Sequence, residues 1–486
     1  MKKTALFILF AVLCAIIPAC DAATTVEDEF SHYYMDATFD PETRTVSATF
    51  SVDFFNCYDL PVADLALRLY GNAFLDENAV SQSAREEAYY QGESKGSITL
   101  GEIMVNGTVR PSAVSQSGHA TRIALGEEIF PGERVRIDTT YCLTLAQVNS
   151  RLGLTQNTVN LTHWYPEVAV LLDGEWQDGD FTAIGDPFFT ECADFDVSLT
   201  VPTGYTLATS GTLVEKSKAS GTETHKFRAQ KVRDFAAILS RDFRTTSALS
   251  GATMITYYSL FDASPDKTLR LAQDALTYFS ERFGAYPYPT LALVEAPLCA
   301  SGMEQSALVI IGTNLDDKTH VVVHEIAHQW WSQIAGNNPI SQAFFDEGLA
   351  EWSAAEFYVQ HGQENRAIAL KEQWEKRYVL YLDVMARTTG AVSTAMTKPL
   401  KDFASEYEYE VIAYGKGFLM FDSIAALIGK DNFVAGLHRL VQETKYKIFD
   451  TKMALGLMEM GAKRKMEGIF NAWEQGRVSY YLVGEI

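Results

Sequence analysis

His324-Glu325-Ile326-Ala327-His328 is the stretch on which the rest of the chain turns. On a helix, residues four apart share one face about one turn apart, so both imidazoles can reach a single metal ion. Glu325 projects at a neighbouring angle, towards a water on that metal. Two ligands and a general base in this order form the H-E-x-x-H pattern of zinc-dependent peptide-bond hydrolysis. Val321-Val322-Val323 before the motif and Trp330-Trp331 after it mark a buried segment. Three ionisable groups in such a segment are costly unless they are paired or metal-bound. The expected helix runs from about Thr319 to Gln333.

A catalytic zinc usually takes three protein ligands and leaves one position for water. Glu347, in Phe345-Asp346-Glu347-Gly348-Leu349-Ala350-Glu351-Trp352, is the candidate for the third. Residues 329–346, eighteen in number, separate it from His328. They leave room for a helix end, a turn from Gly336 to Pro339 and the start of another helix. Glu351 lies one turn beyond Glu347 on the same face, where it can accept the free N–H of a zinc histidine and fix its tautomer. His320 shares the face of His324 and His328. Three ligands suffice, so it reads as a polar neighbour. One Zn2+ per chain is the expected cofactor.

The 486 residues suffice for two or three domains, and the 47% hydrophobic and 21% charged content is that of a globular protein. A net charge of −22 speaks against a nucleic-acid partner, which requires a basic face. Lys2 and Lys3 followed by the apolar run Ala5 to Ile17 read as a secretory signal, too short to span a bilayer. Ile17-Pro18-Ala19-Cys20 is similar to a bacterial lipoprotein processing site. The expectation is a signal over 1–20 and a tether over 21–31. The protein would be exported and lipid-anchored through Cys20, facing the periplasm or exterior; ordinary signal cleavage nearby is the alternative. Cys57, Cys142, Cys192 and Cys299 show no C-x-x-C spacing. In an exported protein they permit disulfides, or they stand as isolated thiols; the sequence does not choose.

Short alternating stretches dominate the first half. Val46, Ala48, Phe50, Val52 and Phe54 form one, Leu65, Leu67 and Leu69 another; Val135 to Tyr141 and Phe195 to Val201 repeat the pattern. Ile98 to Val109 reads as a hairpin around Asn106-Gly107. Asp76 to Ser97 reads as an insertion with a short helix. Residues 32–248 are therefore expected to form an all-β domain. Ser264-Pro265 then starts a helix whose apolar positions Leu269, Ala272, Leu276, Phe279 and Phe283 recur at steps of three and four. Leu291 to Glu295 and Ala307 to Ile311 read as strands. From Phe344 onward helices dominate, with Gly362, Gly429 and Gly476 as stops. The fold class is multi-domain α+β, with the motif in the second part, residues 249–486.

Three motifs together resemble one family. His324-Glu325-x-x-His328, eighteen residues and Glu347 is the pattern of the aminopeptidase N-like zinc metallopeptidases, which include leukotriene hydrolase. Ser301-Gly302-Met303-Glu304-Gln305 looks like that family's G-x-M-E-N substrate motif, with Ser301 and Gln305 as departures. Ala413-Tyr414-Gly415-Lys416-Gly417 is similar to its Y-x-K-G segment. The resemblance implies a β-rich N-terminal domain followed by a thermolysin-like catalytic domain.

It also implies roles. Glu325 is the general base, and Tyr414 donates a hydrogen bond to the oxyanion, with Tyr407 and Tyr409 as nearby rivals. Gly302 and Met303 line the cleft as an edge strand that pairs with the substrate backbone, and Gln305 closes that substrate-binding motif. Glu304 pairs with the free α-ammonium of a peptide substrate. No counterpart of the family's N-domain glutamine is evident. Members usually continue into a helical domain that roofs the site, so an open cleft is expected for a chain ending at Ile486. The leading reading is an aminopeptidase. An oligopeptide or endo-acting peptidase comes second, and a non-catalytic scaffold third.

Overall fold

The structure is a computed structural model that describes residues 29–389 and 392–476. The signal, the tether up to residue 28 and Cys20 lie outside the described residues.

Alternation of apolar and polar residues builds the N-terminal half. Ser31–Asp40 pairs antiparallel with Thr45–Phe55 and parallel with Ala193–Pro202, at the centre of a nine-stranded sheet. Every second residue of Thr45–Phe55 is buried, as a half-buried strand requires. Two four-stranded sheets complete this half. Its core is aromatic: Tyr33 stacks on Phe195 at 4.8 Å, and Trp164 and Tyr165 are fully buried.

The hairpin at Asn106-Gly107 is smaller than the expected 98–109. Only Met104–Val105 and Thr108–Val109 pair across the turn, with φ 48° at Asn106 and 74° at Gly107. Ser97–Leu100 pairs instead with Arg134–Thr144. The polar insertion carries one short helix, Arg85–Ala88.

A second sheet begins at Arg244, before the boundary expected at 248/249. Arg244–Ser250 pairs antiparallel with Thr253–Ser259, and this hairpin fixes it to the second half. Thr253–Ser259, Thr290–Ala296 and Leu308–Gly312 run parallel, and Gly302–Gln305 is the antiparallel edge. The helix Pro265–Phe283 links the first two of those parallel strands and buries Leu269, Ala272, Leu276, Phe279 and Phe283. The chain is thus a multi-domain α+β protein with a sheet-rich first half and a helical second half.

The motif helix spans Thr319–Ala327, shorter than the expected 319–333. His328 still has helical angles and its N–H reaches His324 O, but the chain then turns. Trp330 and Trp331 both enter the core, and Ser332 adopts φ 97°. A continuing helix would point adjacent residues about 100° apart and could not bury both indoles so deeply. Arg233, from the first half, clasps this turn. It donates to Ser332 O, Thr190 O and Lys447 O at 2.6, 2.9 and 2.7 Å.

Helix Pro339–Gln360, capped by the Asn338 side chain and broken at Gln342, brings Glu347 and Glu351 beneath the motif helix. It crosses helix Gly417–Ile428 where Gly348 meets Gly417: a Cβ on Gly348 would lie 2.7 Å from Gly417 C. Only glycines allow that approach. Gly362, Gly429 and Gly476 have φ of 67°, 89° and 70° at or just beyond helix ends, as expected of glycine stops. The four cysteines among the described residues are free, and burial pushes the Cys192 and Cys299 thiols up to about 11.

Candidate active site

The helical spacing does what the sequence implies. His324 Nε2 and His328 Nε2 lie 3.0 Å apart. Glu347 Oε2 lies 3.2 Å from the latter and 3.4 Å from the former. Ligands of a tetrahedral zinc, each about 2.0–2.1 Å from the ion, sit about 3.3 Å from one another. The three residues are at most 6% exposed. The residues therefore fit zinc, in type and in spacing.

The charges fit as well. Burial alone would lower the His324 pKa, but Glu347 and Glu351 outweigh it and raise it to about 10. Burial raises the Glu347 carboxyl, yet the two imidazoles bring it down to about 2. Left without a metal, the site satisfies its carboxylates with protons, which is what a cation-binding cradle does.

Both histidines are oriented from behind. His328 Nδ1 lies 3.0 Å from Trp331 O, a bond made possible by the turn after the motif helix. His324 Nδ1 lies 3.0 Å from Glu351 Oε1, although not aligned for a well-formed hydrogen bond. Glu351 in turn accepts from Trp374 Nε1 at 2.8 Å and contacts His320 Nε2 at 3.0 Å. His320 is thus beside the metal ligands and bound to Glu351.

Glu325 is 7% exposed, and its Oε2 has no hydrogen-bond partner. Burial raises its carboxyl, with His324 and His328 opposing and Glu347 and Asp186 adding, to about 7. A carboxyl poised there can both take and return a proton. Its room is made by Gly302, where a Cβ would lie 2.3 Å from Glu325 Oε1.

The edge strand Gly302–Gln305 splits the proposed substrate motif. Gly302 and Glu304 face the metal ligands. Met303 and Gln305, one residue out of phase, point through the sheet. Met303 packs with Ala236, Ile238, Val294 and Ile310 on the far side. Gln305 is 3% exposed, and its Nε2 donates to Glu304 O at 2.6 Å. The expectation that the Met303 and Gln305 side chains bind substrate is therefore corrected by the period of two; only their backbone edge is left for that task. Glu304 is half-buried, and burial drives its carboxyl well above the usual range, with His328 opposing and Asp186, Glu325 and Glu347 adding.

Tyr414 sits in a π-helical turn, Val411–Lys416, and its OH donates to Glu347 Oε1 at 2.7 Å. Its ring stacks on His324 at 5.8 Å. Burial and the Glu347 charge keep the phenol protonated. Tyr409 packs edge-on against it, whereas Tyr407 is exposed and donates to Arg377 O at 3.4 Å. Single π-helical turns within helices often mark functional sites.

Sequence reasoning missed Arg151 and Asp186. They form an ion pair at the cleft, contributed by loops of the first half. No periodicity or spacing signals them; Gly185-Asp186-Pro187 reads only as a turn. The cleft encloses about 610 Å³, with Tyr70, Phe74 and Phe188 on the first-half wall and Trp374 and Tyr409 opposite.

Comparison with known proteins agrees with this geometry. Residues 267–473 match the peptidase family M1 domain. Aminopeptidase 2 of Candida albicans is 28% identical over 197 residues, covering 36% of this chain and 20% of its own length. Aminopeptidase M1-A of rice, Oryza sativa, is 23% identical over 323 residues, 61% of this chain and 34% of its own. The chain thus spans about a third or less of the curated relatives it matches. An M1 zinc metallopeptidase from Deinococcus radiodurans has the same fold, with a TM-score of 0.63 at 19% identity over 94% of this chain and 96% of its own.

Proposed function

We propose that this chain, which belongs to the aminopeptidase N-like peptidases of family M1, removes N-terminal residues from peptides by zinc-dependent hydrolysis. The observation that carries the reading is the convergence of His324, His328 and Glu347, with Glu325 and Glu304 on one side and Tyr414 on the other. When bound, zinc supplies a Lewis acid that acidifies water and polarises the scissile carbonyl. Glu325 takes the proton of the attacking water and passes it to the leaving amine. Tyr414 turns its O–H from Glu347 to the carbonyl oxygen as negative charge develops there. Glu351 and Trp331 O hold the histidine rings.

Glu304 makes the site an exopeptidase. It is a carboxylate crowded by burial and by other acids, and a substrate α-ammonium would relieve it. A blocked N-terminus would leave its charge without a partner, at a cost. The related Deinococcus radiodurans enzyme has been seen with a Tyr-Ser-Ala substrate, a short free peptide. The test compares kcat/KM for one peptide with free and acetylated N-termini, in wild type and Glu304→Gln. The free peptide should be strongly preferred, and the preference should shrink in the variant. Equal rates on both peptides in wild type would defeat the aminopeptidase reading in favour of an endo-acting one.

We also propose export and anchoring through a lipid on Cys20, on the strength of Lys2, Lys3 and the apolar run before it. Detergent-phase partitioning that survives Cys20→Ala would refute the anchor.

A further inference from the structure

A second set of metal-ligand atoms converges one turn before the zinc motif. His320 Nε2 and His324 Nδ1 each lie 3.0 Å from Glu351 Oε1. The three donors are within 4.8 Å of one another. His324 Nδ1 is buried and lacks an aligned hydrogen bond. Nδ1 of His320 lies 3.3 Å from Tyr358 OH, which leaves Nε2 to face Glu351. The His320 side chain is 35% exposed and lines the cleft, so an ion has a path to it. The other convergence, Glu304, Glu325 and His328, offers no such site, because His328 Nε2 is already a ligand of the primary one.

We propose that His320 Nε2 and Glu351 Oε1 form a second, weaker site for a divalent ion of zinc type, and that its occupation inhibits the enzyme. An imidazole with a carboxylate suits zinc, and water completes the coordination. His320 binds the ion by moving its ring proton from Nε2 to Nδ1, where Tyr358 OH accepts it. His324 keeps its own Nδ1 proton. The price falls on His324: the Glu351 oxygen that receives its N–H is now shared with a cation. The imidazole becomes a poorer and less firmly oriented ligand of the primary ion. Losing such an outer contact typically costs about 10–100-fold in activity or metal affinity.

The inhibition rests on the peptidase reading; the stoichiometry does not. Protein carrying one zinc is dialysed against excess zinc, and bound metal and turnover are measured for wild type, His320→Phe and His320→Asn. Wild type should gain a second zinc and lose activity about 10–100-fold. Both variants should stay at one zinc, keep the basal rate and resist inhibition. A wild type that stops at one zinc, or variants that gain the second and are inhibited alike, would overturn the proposal. Two bound zincs in wild type, with the variants at one and no hydrolysis of any peptide, would defeat the peptidase reading and leave the site standing.

Discussion

Gly302→Ala should disable the base without disturbing the metal. The added methyl would lie 2.3 Å from Glu325 Oε1, 2.8 Å from Glu325 Cδ and 2.6 Å from Val321 Cγ1. Backbone retreat is limited, because Gly302 pairs with Ile311 and the strand is packed through Met303 on its other face. The Glu325 carboxyl is the movable partner, at the end of a flexible side chain, and must withdraw by about 1 Å to reach ordinary contact. Overpacking of this kind costs about 1–3 kcal/mol, which a folded domain survives. Catalysis is less tolerant: a displacement of about 1 Å at a reacting group can cost about 10²-fold. Turnover at saturating substrate should therefore fall by about two orders of magnitude, with one zinc per chain retained and only a small loss in Tm. Steady-state kinetics beside metal analysis of the same sample reads both. Turnover near wild type would mean that Glu325 is not the base, or that the strand does not crowd it; loss of zinc would mean that the strand shapes the ligands instead.

Glu325→Gln removes the base and spares the ligands; turnover should fall about 10²–10⁴-fold with zinc retained, and a near-normal rate would sink the mechanism. Glu347→Ala should lose zinc on gel filtration; full occupancy would assign the third ligand elsewhere. Zinc affinity should rise with pH through the neutral range. In metal-free protein His324 is held protonated up to about 10, so zinc must expel that proton. By the same sign, its charge stabilises the metal-free fold fully below its ordinary pKa of 6.5, and that contribution is lost as pH rises through about 10. Calorimetry in buffers of different ionisation enthalpy should show proton release on zinc binding, and a pH-independent affinity would contradict the charge balance. Lys416 is fully buried and donates to Trp473 O at 2.6 Å and to Thr394 O, which anchors the π-turn carrying Tyr414. Lys416→Met should lower kcat with KM and zinc unchanged, and should add nothing when Tyr414 is already Phe; additive losses would show that Lys416 does not act through Tyr414.

The metal ligands were legible because helical spacing is a strong local rule. His324 and His328 are one turn apart whatever surrounds them, and a separate carboxylate was needed. The half-buried strand at 46–54 was legible for the same reason, with a period of two. Side-chain direction at the edge strand was half legible. Gly302 and Glu304 had to share a face and Met303 and Gln305 the other, but linear order does not say which face meets the metal. Arg151 and Asp186 were not legible at all. They lie in loops, where only tertiary packing decides what a side chain meets. The end of the motif helix was misplaced because a helix can continue through two tryptophans by propensity; the demand to bury both rings in different directions is a property of the core.

The missed pair changes how the site's charge is understood. The second half alone places Glu304, Glu325, Glu347 and Glu351 around two imidazoles, and one divalent ion does not neutralise four carboxylates. Burial keeps Glu325 near the point of protonation and pushes Glu304 well above the usual range. The first half then brings Arg151 and Asp186 together, a pair with no net charge but with a direction. Its acidic end raises both Glu304 and Glu325. The cleft therefore keeps an excess of negative charge at the end where a substrate amine would enter, and an oriented guanidinium beside it. The Arg233 clasp, which ties Thr190 O of the first half to Ser332 O and Lys447 O of the second, holds the acidic loop in register with the motif helix. The selectivity proposed for free N-termini is on this account a property of the junction between the two halves, and the zinc ligands alone do not supply it.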